Sequence, residues 1–66
     1  MSDYTMVVYE TYDTENPYFI YYTGDKQGAI DYALGEGAFE VDVYRGDRVK
    51  PDSKVVCRIL ASGEIL

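Results

Sequence analysis

With 66 residues the chain has room for one domain, and at this size folding hides only about 60% of the unfolded surface, so the core must be small. A hydrophobic content of 47%, with 15% aromatic, suffices for folding and excludes a disordered acidic tail. Twelve acidic against six basic side chains leave a net charge of −6, which repels phosphates, argues against direct nucleic-acid binding and attracts a basic partner.

No apolar run approaches the roughly 20 residues that span a bilayer, and the opening MSDYTM lacks the basic and apolar regions of a signal peptide. The expectation is a cytoplasmic protein without a membrane segment. The single cysteine, Cys57, permits no internal disulfide and suits a reducing compartment; its apolar neighbours suggest a core position.

In chain order, residues 4–12 (YTMVVYETY) are β-branched and aromatic, which favours a strand because branched side chains lose rotamers in a helix. DTENP at 13–17 collects turn formers, and YFIYYT at 18–23 reads as the second strand of a hairpin. The period then changes. From Asp25 to Glu36 apolar residues fall at Ala29, Ile30, Ala33 and Leu34, the spacing of an amphipathic helix that packs one face on a sheet. Thr23 or Asp25 can cap its start, and Gly35 and Gly37 can end it. Gly28 is out of place inside a helix, where it costs about 1 kcal/mol relative to alanine, unless the helix begins later or something approaches closely.

Over 38–45, Phe39, Val41 and Val43 alternate with Glu40, Asp42 and Tyr44, predicting a strand with one core face and one wet face. RGDRVKPDS is a polar loop, KVVCRIL at 54–60 is a last strand, and ASGE can turn the chain so that Ile65 and Leu66 pack back. The expected fold is α+β: a small, largely antiparallel sheet of about four strands in ββαββ order, with one helix across one face, in a single domain over residues 1–66.

Reactive chemistry is sparse. There is no histidine, no paired cysteine spacing for zinc, and no cleft-building length for a carboxylate pair, so we expect neither enzyme activity nor a cofactor or metal. GDKQGAIDYALGEG lacks the Lys-Ser or Lys-Thr pair of a phosphate loop and the spacing of a dinucleotide site. GDRVKPDS lacks the alternating ligands and terminal Glu of a calcium loop.

Tyrosine is the conspicuous residue, eight of 66. Tyr21 and Tyr22 are neighbours on a strand and must point to opposite faces, so some tyrosine lies outside the core, where it offers rigid contact area for a protein partner. The plain alternative is that tyrosine forms strands well. Glu40 and Asp42 stand about 6.6 Å apart along their strand, near two phosphate steps of ~3.4 Å each. That spacing permits either phosphate mimicry or an ordinary solvated face.

The order YFIYYT, a helix bearing Ala29-Ile30-Asp31-Tyr32-Ala33, and a strand Phe39-Glu40-Val41 with a basic residue at Arg45 resembles the small early protein by which T-odd coliphages inhibit host RNA polymerase. The likeness covers roughly residues 18–48. It implies a short sheet with one helix, docking on the polymerase's largest subunit, Arg45 as a contacting arginine, and a negative strip made up by acidic side chains nearby. The chain departs from that family at Val43, where a second arginine would stand, in a shorter link from helix to strand, and in the extra strand from Lys54 onward. The expected function is a non-enzymatic inhibitor or interaction module. Its partner would be a basic surface on RNA polymerase or another nucleic-acid-binding protein, met by Glu40, Asp42, Tyr44, Arg45, Tyr21, Tyr22 and Asp31. The alternative is a self-assembling subunit, such as a homodimer, that uses strand edges and exposed tyrosines.

Overall fold

The structure is a computed structural model that describes residues 1–12 and 16–66. Among the described residues the elements follow as β1 (Tyr4–Tyr9), β2 (Tyr18–Tyr22), α1 (Lys26–Gly35), β3 (Glu40–Arg45) and β4 (Val55–Leu60). The strands form one sheet in the order β2-β1-β3-β4, with every neighbouring pair antiparallel. The class is therefore α+β. Because β2 and β3 flank β1 on either side, the segment containing α1 carries the chain across β1.

β1 is the strand buried on both faces, as its central place requires: Tyr4 through Val8 are all buried. It is shorter than the nine residues of the sequence reading, since its last paired residues are Val8, opposite Tyr18, and Tyr9, opposite Glu40. Among the described residues the β1 ladder ends at Tyr9. Of the expected turn at 13–17, residues 13–15 lie outside the described residues. β3 likewise starts at Glu40 rather than 38, so Phe39, expected to face the core, precedes the first pair and is largely exposed.

Tyr4, Met6 and Val8 of β1, Val41 and Val43 of β3, and Cys57 and Ile59 of β4 make the core with Ala29 and Ala33 of α1. The two alanines are one helical turn apart, and their small side chains let the helix lie close to the sheet. Leu34, expected on the same face, is instead largely exposed at the rim of a small cavity of about 50 Å³ shared with Val41, Ile59 and Leu60. The contact line is centred on Ala29 and Ala33, and Ile30 only partly joins it. Cys57 is buried, and that burial pushes its thiol pKa up, as befits an unreactive core residue.

Local chemistry sets the helix ends. Asp25 Oδ1 accepts a hydrogen bond from the Gly28 amide at 2.8 Å, the N-cap arrangement. Past the last helical residues, Gly37 takes φ +66°, the left-handed conformation that terminates a helix at least cost for glycine. Gly28 has a structural reason. A β-carbon there would run into the Tyr22 hydroxyl, and Tyr22 is held in turn against the Tyr32 ring, centroid to centroid 5.9 Å. Close approach, not a late helix start, explains the glycine.

The ladder between β3 and β4 slips between Val43 and Tyr44, which pair with Cys57 and Val55. After β4 the chain turns and lies back along its outer edge. Leu66 N–H donates to Arg58 O at 2.8 Å, Arg58 N–H to Leu66 O at 3.3 Å, and Ile59 bridges Ile65. This return is made by backbone, since the Ile65 and Leu66 side chains remain exposed. No helix among the described residues is long and apolar enough to cross a membrane.

Candidate interaction face

The helix covers one side of the sheet. The strand period sends the remaining side chains to the other: Thr5, Val7 and Tyr9 from β1, Phe19 and Tyr21 from β2, Glu40, Asp42 and Tyr44 from β3, and Arg58 from β4. Register places Thr5 between Tyr21 and Tyr44, and Val7 between Phe19 and Asp42. The centre of this face is closed while the β2 side is open. Val7 and Asp42 are 6% and 5% exposed, whereas Phe19 and Tyr21 are 51% and 57% exposed.

Two buried polar groups on this face differ in how they are satisfied. Thr5 Oγ1 donates to the Gly46 carbonyl at 2.8 Å and ties the start of β1 to the end of β3. Asp42 Oδ1 has no hydrogen-bond partner among the described residues. The nearest cation, Arg58, brings its Nε only to 3.7 Å, an ion pair but too long for a hydrogen bond. Burial, first, and then a hydrogen bond to Glu40 and the charge of Glu40 push the Asp42 pKa up to about 7, against the opposing pull of Arg58. Tyr9 is pushed up as well, by burial and then by Asp42, Tyr44 and Glu40.

This changes the reading of Glu40 and Asp42. They do share a face, but the face is not wet at Asp42, which is closed off between Val7 and Arg58 on the neighbouring strands. Near neutral pH Asp42 is protonated for part of the time, so it presents less than a full negative charge. A two-phosphate mimic would need both charges in solvent.

The other residues expected at the site divide. Tyr21 and Tyr44 lie on the helix-free face with Glu40 and Asp42. Tyr22 points to the helix side and packs against the core. Arg45, at the end of β3, sits with its guanidinium carbon 5.5 Å from the centre of the Tyr4 ring, a cation–π contact. Asp31 is exposed on the helix and accepts from Gln27 Nε2 at 3.0 Å. The sheet separates the first four from the last three.

Phe19 and Arg58 were not among the expected site residues. Phe19 is two residues from Tyr21 and shares its face, a signal present in YFIYY; Arg58 depends on the register of β3 with β4, which local sequence does not reveal. The loop after β3 adds another element. Arg48, Val49 and Lys50 border a cleft of about 340 Å³ with Thr5, Phe19 and Tyr21. Asp47 lines the same cleft, so the loop brings charges of both signs to this side of the face. Among the described residues, no group of three or more acidic or cysteine side chains is placed to hold a metal ion.

No protein-family model, no curated protein and no solved structure matches this chain.

Proposed function

We propose that this chain is a non-enzymatic, acidic protein-binding module that docks its helix-free sheet face on a basic surface of a larger protein. The observation that carries this reading is the pair Phe19 and Tyr21, both more than half exposed on the side of the sheet that no helix covers. Large aromatic side chains there give contact area with little rotamer entropy to lose on binding. The net charge of −6 favours a basic partner and would speed encounter, while the aromatics would hold the complex. Asp42's burial favours docking over nucleic-acid mimicry, since Asp42 is closed off and Glu40 is only partly exposed.

The partner class we propose is a host nucleic-acid machine, RNA polymerase first, with the chain acting as a phage-encoded inhibitor in the cytoplasm. Support for the polymerase is the likeness of residues 18–48 to the early phage inhibitors. The test is direct binding of the purified chain to bacterial RNA polymerase, together with promoter-dependent transcription. Binding that weakens with salt and is lost in Glu40→Lys with Tyr44→Ala supports the reading. Absence of binding and of inhibition at low salt would remove the polymerase as partner.

A further inference from the structure

The two edges of the sheet are treated differently. Along β4 the outer edge is occupied by the chain's own end, through the paired bonds between Arg58 and Leu66. Along β2 the order β2-β1-β3-β4 leaves the outer edge without a strand partner among the described residues. Every second residue of a strand turns its N–H and C=O away from its neighbour, so β2 offers a row of unpaired donors and acceptors. Proteins that stay monomeric guard such an edge with a charge, a proline or a bulge. β2 reads YFIYY, with no charge and no proline, and its pairing with β1 runs without a register shift.

We propose that this edge is the interface of a homodimer, in which β2 of one copy pairs antiparallel with β2 of another. The occupant follows from the strand's self-complementarity. Antiparallel pairing about a two-fold axis at Ile20 sets Phe19 opposite the second copy's Tyr21, and Tyr18 opposite its Tyr22. Each pair is aromatic, and cross-strand aromatic pairs are among the favourable ones. No charged residue enters the ladder. A foreign strand of defined sequence would be selected by charge within the ladder, and β2 supplies none; the charges of Asp47, Arg48 and Lys50 line the neighbouring cleft and not the ladder. Tyr18, Phe19 and Tyr21 are all exposed in the single chain, so the area to be covered already lies along the edge.

The consequence is structural. Two four-stranded sheets become one of eight strands, and the helix-free faces merge with Phe19 and Tyr21 of both copies at the middle. Carboxylates flank both ends of the strand: Glu36, which accepts from the Tyr18 hydroxyl at 3.3 Å, and Asp3, which accepts from the Gly24 amide at 2.9 Å. The two-fold brings one copy's Glu36 end toward the other's Asp3 end, and like charges there oppose association. Salt should therefore strengthen the dimer, opposite to its effect on docking to a basic partner, so the two proposals fail separately.

The test is the mass of the full chain in solution by light scattering or sedimentation, over a range of concentrations and at low and high salt. The wild type is expected at twice the chain mass, more so at high salt. F19K/Y21K sets lysine against lysine at both central pairs and should weaken the dimer by about tenfold or more. F19K/Y21E sets lysine against glutamate at the same pairs and should restore it. Both replace exposed side chains, and circular dichroism verifies that each variant is folded. A wild type that is monomeric at every concentration overturns the proposal. So do equal association of the two variants, which puts the interface elsewhere, and loss of the dimer in both, which rules out the antiparallel register.

Discussion

Replacing Asp42 by asparagine tests the central electrostatic feature of the helix-free face. The carboxyl pKa rises from 3.8 to about 7 on folding, because burial and Glu40 disfavour the charged form. An acid with a raised pKa binds its proton more tightly in the folded state, so stability is greatest below the unfolded value and is lost as pH rises through the folded one. At 1.36 kcal/mol per unit, the shift sets a ceiling of about 4 kcal/mol lost between pH 3.8 and about 7. Arg58 is half exposed, and the water it admits screens the pair, which reduces the expected loss to about 2 kcal/mol. Asparagine cannot ionise, yet it can still donate to Glu40. Asp42→Asn should therefore match or trail the wild type in acid and exceed it above neutral pH. With a urea slope near 1 kcal/mol/M for so small a domain, the midpoints should separate by about 2 M across the window. Urea titrations of both proteins at acid, neutral and mildly alkaline pH measure this. Taking the difference between them cancels the general repulsion of an acidic chain. Parallel curves, or a wild type that gains on the variant as pH rises, would refute the assignment of a raised pKa to Asp42.

Other consequences follow from the packing. Glu40→Gln removes the second and third causes of the Asp42 shift, so the pH dependence should persist but move to lower pH in the same titrations. Gly28→Ala, which should gain about 1 kcal/mol from helix propensity alone, should instead cost about 1 kcal/mol because the new methyl meets Tyr22; with Tyr22→Leu added, thermal unfolding should show the gain return. Asp25→Ala should cost about 1 kcal/mol in chemical denaturation through loss of the cap to Gly28. The Cys57 thiol should react with a thiol reagent only at the rate of unfolding, and fast labelling in native buffer would contradict its burial.

Periodicity carried most of the fold. The alternation of Val41 and Val43 with Glu40, Asp42 and Tyr44, the helical spacing of Ala29 and Ala33, and the turn residues between them are local signals, and each element appears where its signal lies. Ends moved where pairing partners ran out, as at Tyr9 and Glu40. Tyr21 and Tyr22 point apart because a strand has a period of two, which no tertiary contact can change.

Sequence by itself therefore determined the kinds of element and the alternation of side chains along each strand, and it narrowed the start of the helix to Thr23 or Asp25, of which Asp25 is the cap, while Gly35 lies inside the helix and Gly37 follows it. Only the tertiary structure decided that β1 lies between β2 and β3, that Asp42 is closed off between Val7 and Arg58, that Gly28 makes room for Tyr22, and that one sheet edge is covered while the other has no strand partner among the described residues. Those outcomes depend on which distant strands become neighbours. Water is removed from a group by whatever is packed around it, and the chain's linear order does not specify that surrounding.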